Sequence, residues 1–141
     1  MKELDILNEF YKVLRIGMDS YSDVSKKVVD NQMKNELSYQ YKEYSDILSK
    51  VNNQLASLGD VAKDTSAMDK AMVWTGVELN TLNDKTNSHI ADMIIQGSTM
   101  GITKSTKILN ENPKMNSNIS NIIQEFITLE NNSIEQLKKY L

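Results

Sequence analysis

Between Asn31 and Gly59 the apolar residues return with a steady beat. Leu37, Tyr41, Tyr44, Leu48, Val51, Leu55 and Leu58 follow one another at alternating steps of four and three, the apolar seam of a long amphipathic helix. Gly59 stands where a helix C′ residue belongs. Such a helix needs partners that bury its stripe, and three other stretches carry the same rhythm. Leu7, Phe10, Leu14, Gly17, Tyr21, Val24 and Val28 predict a first helix over about 3–29, ahead of the second over about 32–58. A third, over about 87–111, has Ile90, Ile94 or Met93, Gly97, Gly101, Lys104 and Ile108 on its seam. A fourth, over about 113–140, has Ile119, Ile123, Phe126, Glu130, Ser133 or Ile134, Leu137 and Tyr140.

The connections between these stretches decide the topology. Asp30-Asn31 reads as a tight turn in which either residue can cap the second helix, and Asn112-Pro113 reads as a cap followed by proline at the first helical position. Each pair of helices is then an antiparallel hairpin. The connection over 60–86 is long and carries a short helix of its own over about 67–82, with Trp74 as the side chain that docks it. Helices of this length are about 40 Å long at 1.5 Å per residue, so a crossover of that size can span the bundle and set the second and third helices parallel. The expected fold is all-α: one domain over 1–141, a four-helix bundle of two antiparallel hairpins with short, long and short connections. That is the connection pattern of ferritin-like bundles. A plain up-and-down bundle with a decorated loop is the alternative.

Composition narrows what such a bundle can do. With no cysteine in 141 residues, thiolate metal sites and thiol catalysis are excluded. No stretch is long and apolar enough to span a membrane, and Met1-Lys2-Glu3-Leu4-Asp5 lacks a signal-peptide core, so an intracellular, cytoplasmic protein is expected. A net charge of −3 and a single arginine argue against nucleic acid as partner and against bidentate anion clamps.

The polar residues on the seams are the candidates for chemistry. Glu130 interrupts an apolar seam, and an unpaired buried carboxylate is costly, so a partner is expected among the hydroxyls of Tyr21, Tyr41 and Tyr44 or the ammonium of Lys104. Glu130, Tyr41, Tyr44 and Lys104 thus form either a satisfied core network or an acid in a small internal pocket. His89 and Asp92 share a helical face and are the other metal candidates beside Glu130, although two ligands make a weak site. Gly97 and Gly101, one turn apart inside a helix, weaken it by about 1 kcal/mol each. They are expected to make room for Tyr41 and Tyr44 or to flank a small-molecule pocket. The lone histidine has no serine and carboxylate encoded around it for a hydrolytic triad.

Four short motifs carry a resemblance. Leu7-Asn8-x-x-Tyr11, Gly17-x-x-x-Tyr21, Lys34-x-x-Leu37 and Gln54-Leu55-x-x-Leu58-Gly59 resemble the uncharacterised bacterial branch of the ferritin-like superfamily, in which a tryptophan like Trp74 lies in the central linker. Metal-binding members of that superfamily carry Glu on two helices and Glu-x-x-His on the other two, all facing inward. Here Tyr41 and Tyr44 take the inward positions of the second helix, while Glu43 and Asp46 face solvent. Ser133 stands where a histidine would follow Glu130, and Gly17 and Gly97 hold mid-seam, with Asp19 and Ser98 beside them. The resemblance therefore implies a bundle without the di-iron ligand set and without a cofactor. The expected role is that of a non-catalytic structural or interaction protein, of a stress- or spore-related kind. It would associate as a homodimer through an apolar patch around Trp74, or with another protein. The alternative is a degenerate iron- or manganese-dependent oxidoreductase, which needs Asp19 or Glu78 turned inward beside Glu130. A carrier of a small apolar ligand beside Gly97 is a third reading.

Overall fold

The computed structural model describes residues 2–60 and 84–141. They form α1 (Glu3–Ser25), α2 (Asn31–Ser57), α3 (Asn87–Glu111) and α4 (Ser117–Leu137), closed by one 3-10 turn, Lys138–Tyr140. The short helix expected over 67–82, with Trp74 and Glu78, lies outside the described residues.

The helix ends follow from local chemistry. Asp30 caps α2, its carboxylate accepting from the Met33 N–H at 2.8 Å. At the other end Gly59 adopts φ 74°. Its N–H bonds to Ala56 O and that of Asp60 to Leu55 O, the paired bonds of a Schellman cap. Thr86 caps α3 through the His89 N–H.

Two ends differ from the sequence reading. α1 stops at Ser25 rather than near Val29, because Lys27 and Val28 bond back only three residues and swing Val28 into the core. Asn112 does not cap α4. Its side chain is buried and donates to Ile108 O at 2.9 Å, closing α3 instead. Pro113 then sits in the turn, and α4 begins four residues later, capped by Asn116.

Contacts across the bundle give its topology. Glu36 near the start of α2 holds Lys139 and Tyr140 beyond the end of α4, while Lys50 in the second half of α2 pairs with Glu125 early in α4 at 2.8 Å. These two helices are antiparallel. Phe10 meets Phe126 and Tyr21 meets Ser133, so α1 and α4 run the same way. The tight turns make each hairpin antiparallel, so α2 and α3 are parallel. α1 packs on α2 and α3, and α4 packs on the same two, leaving α1 and α4 on one diagonal.

The buried stripes are close to the expected seams with instructive shifts. α4 buries Ile119, Ile123, Phe126, Glu130, Ser133 and Leu137 as expected. On α2 the buried set is Met33, Leu37, Gln40, Tyr44, Ile47, Val51 and Leu55, so Tyr41 and Leu48 fall to the flank and Leu58 is exposed. On α3 Ser98 and Ser105 take the inner line, and Gly101 and Lys104 rotate to its edge.

Candidate functional site

The four helices bring one polar cluster into an aromatic core. Phe10 and Phe126 stack edge to face at 5.3 Å, and Tyr21 and Tyr44 do the same at 5.3 Å. Tyr44 also leans on Phe126 at 6.0 Å. Within this cage Tyr44 Oη donates to Glu130 Oε1. One turn further along α4, Ser133 Oγ lies 3.5 Å from Tyr21 Oη. Ser98, on α3, turns its hydroxyl toward the Tyr44–Glu130 pair but reaches no hydrogen bond of normal geometry. Tyr21 from α1, Tyr44 from α2, Ser98 from α3 and Glu130 with Ser133 from α4 therefore meet at mid-bundle.

Burial sets the charge state of this cluster. It pushes the Glu130 carboxyl up to about 8, with the Tyr44 and Ser98 hydroxyls pulling it part of the way back. Desolvation, then the nearby Glu130, holds the Tyr44 phenol well above its ordinary value. The Tyr21 phenol is also raised, by burial first. At neutral pH the cluster is uncharged, which is how a carboxyl is accommodated in an apolar core.

Beside Glu130 a cleft of about 20 Å³ lies between α1 and α3, lined by Gly17, Gly97, Gly101, Lys104 and Phe126 among others. Gly101 is there for the carboxyl, since a Cβ at that position would lie 3.0 Å from Glu130 Oε2 and 3.4 Å from Phe126 Cζ. The expected tyrosine neighbours are not its reason. At Gly17 a Cβ would meet nothing within 4 Å, so that glycine leaves open space rather than permitting close packing.

The other sequence candidates are dispersed. Tyr41 is only partly buried, and neither Tyr41 nor Lys104 bonds to Glu130, although Lys104 lines the same cleft. Asp92 is exposed and accepts from Gln96 Nε2 at 3.1 Å rather than sharing a ligand with His89. His89 stands twelve residues from Gly101 along α3, roughly 18 Å at 1.5 Å per residue. Asp19 turns to Arg15, 3.1 Å away, and not to Glu130. Ser98 and Ser133 are the residues that a search for conventional ligands passes over. Their signal in the sequence is position alone, a small hydroxyl on the inner line of each helix.

No family model matches the chain, and no curated protein matches it. Among solved structures it is similar to a dodecameric thioferritin, a bacterioferritin-related protein from Bacteroides fragilis. The TM-score is 0.74 at 11% identity, over 98% of this chain and 83% of that one. The fold is ferritin-like: an all-α four-helix bundle of two antiparallel hairpins.

That fold raises the question of a metal at mid-bundle, and the donor set answers it. A divalent ion there takes ionised carboxylates and neutral imidazoles. The position offers one carboxyl that burial keeps protonated, two phenols held above their ordinary value and two serine hydroxyls. Among the described residues no three His, Asp or Glu side chains converge. These residues do not fit a dinuclear metal centre.

Proposed function

We propose that the protein is a non-catalytic ferritin-like bundle that works by association, either with its own copies or with another protein. The observation that carries this reading is the Tyr44–Glu130 hydrogen bond, which closes a buried acid inside an aromatic cage where, among the described residues, no group of three His, Asp or Glu side chains converges to hold a metal. Tyr39 and Val29 are exposed apolar side chains available for contact, at 61% and 70%. The similar thioferritin is dodecameric, which agrees with assembly as a mode of action. A stress- or spore-related scaffold in the cytoplasm is the role we assign to it, with 1–141 acting as one bundle domain. Among the described residues no helix is long and apolar enough to cross a membrane.

Two measurements test the reading. Elemental analysis after anaerobic loading with ferrous iron and desalting is expected to find no retained metal in the protein or in Glu130→Ala. Near-stoichiometric iron that Glu130→Ala abolishes would overturn the non-catalytic reading. Light scattering over a concentration series is expected to give a mass above that of the monomer. A strict monomer at high concentration would remove self-association and leave only another protein as partner.

A further inference from the structure

The two oxygens of Glu130 are treated differently. Oε1 receives the Tyr44 hydroxyl, so the proton of the neutral carboxyl rests on Oε2. Among the described residues no hydrogen bond of normal geometry reaches Oε2, which faces Gly101 across the bare side of α3. The buried Ser98 hydroxyl beside it also lacks a partner. Buried donors without acceptors are rare in folded proteins. Glu130 lines the floor of the cleft between α1 and α3, and Ser98 lies behind it.

The shape of the cleft says what could reach them. Its volume of about 20 Å³ holds little more than one water-sized group. Gly17 leaves the outer wall clear. Val13, Ile16 and Lys104 line this cleft and also line a wider groove of about 300 Å³ that continues along α1 and α3 past Ile108. Lys104 makes no ion pair among the described residues, whereas Lys107 in the same groove is paired with Glu111 at 3.8 Å. An unpaired cation at the mouth and a hydrogen-bond donor on the floor disfavour a cationic ligand and favour an anionic acceptor. Beyond the mouth Val13, Ile16 and Ile108 form an apolar strip between the charged Glu9, Lys12, Lys107 and Glu111, and that strip suits an alkyl tail.

We propose that the cleft and groove form a binding site for a short aliphatic monocarboxylate. One carboxylate oxygen enters the cleft and accepts from Glu130 Oε2–H, Lys104 pairs with the anion at the mouth, and the tail lies along Val13, Ile16 and Ile108. The site stands whether or not the protein associates, and its test is independent of oligomeric state. Binding is weakened by ionisation of Glu130, since two carboxylates then face each other. The titratable groups around that carboxyl are Tyr21 on α1, Tyr44 on α2 and Lys104 on α3, and both phenols are held in their neutral form.

The experiment is a titration of the full chain with hexanoate, followed by backbone amide chemical shifts and by calorimetry, with hexylamine and hexanol as comparison ligands. Saturable shifts are expected at Gly17, Gly97 and Gly101 with hexanoate and not with hexylamine. Lys104→Ala should weaken binding by about tenfold, the loss of one charge-assisted contact. Gly17→Leu fills open space, so it should fold normally and block the cleft. Glu130→Gln keeps a donor on the floor and should bind hexanoate with an affinity that no longer falls above about pH 8. Absence of saturable shifts with hexanoate, equal binding of hexylamine, or unchanged binding by Gly17→Leu would each overturn the proposal. The first of these would leave the cleft to one water only.

Discussion

Tyr44 on α2 donates its phenolic proton to Oε1 of Glu130 on α4, deep inside the bundle, with both side chains almost wholly buried. Tyr44→Phe keeps the ring that packs on Tyr21 and Phe126 and removes only the donor. It is expected to cost about 1–3 kcal/mol, the desolvation left when a buried acceptor loses its partner. Urea denaturation at fixed pH measures this, and an unchanged midpoint would mean that the bond contributes nothing net.

Protonation of Glu130 makes stability depend on pH with a definite sign. Its value is raised on folding, from 4.5 to about 8, so the unfolded chain releases this proton at lower pH than the folded one. The Glu130 contribution is therefore fully present below about pH 4.5 and is lost progressively as pH rises to about 8, by up to about 5 kcal/mol. Glu130→Gln, which has no proton to release, should flatten this part of the profile. Unfolding midpoints of both proteins at about pH 5 and pH 9 decide the matter. Equal pH dependence in the two would place the titrating group elsewhere.

The two glycines flanking the cleft predict opposite outcomes. Gly17→Ala adds a methyl that meets nothing within 4 Å and is expected to raise stability by about 0.5–1 kcal/mol through helix propensity. Gly101→Ala gains the same propensity but drives its Cβ to within 3.0 Å of Glu130 Oε2. Tyr44 holds that carboxyl from the other side, so a net loss of about 1 kcal/mol is expected. Thermal unfolding of the pair is the comparison, and a stabilised Gly101→Ala would show that the carboxyl can give way.

Asn112 carries the turn between α3 and α4. Its side chain is buried and closes α3 at Ile108 O, so Asn112→Ala should cost about 1–2 kcal/mol. The exposed Lys50–Glu125 pair sets the scale for contrast. Lys50→Ala should change stability by less than about 1 kcal/mol, and by less again in high salt. Chemical denaturation of both variants at two salt concentrations would reverse the ranking if surface pairing mattered more than the turn.

Much of the fold was legible because helix seams are a redundant signal. Gly59 could be placed as a C′ residue from its position after Leu58, and its positive φ follows from that role. Most of the α4 seam could be read, since Glu130 lies in phase with Phe126 and Leu137, although the choice between Ser133 and Ile134 stayed open and the buried Ile122 was not on it. The α2 seam could not. Tyr41 and Gln40 are neighbours about 100° apart on a helix, and apolarity favours Tyr41. The helix nevertheless turns Gln40 inward and leaves Tyr41 on the flank, an outcome set by the neighbouring helices. The same rotation on α3 brings Ser98 inward and carries Lys104 to the rim. Asn112 misled because an asparagine before proline suits either a helix start or a helix stop. Which neighbour it serves depends on burial, which sequence alone does not state.

The parallel course of α2 and α3 gives both ends of the bundle the same electrostatic make-up. Each end gathers two helix starts and two helix stops, so the four backbone dipoles oppose one another in pairs. The bundle carries little net axial field, and any charge steering a partner to one end must come from side chains. Lys139, paired with Glu36 at the start of α2, and Lys138, paired with Glu135, lie beyond α4 and are where such steering can be set, residue by residue, without disturbing the core.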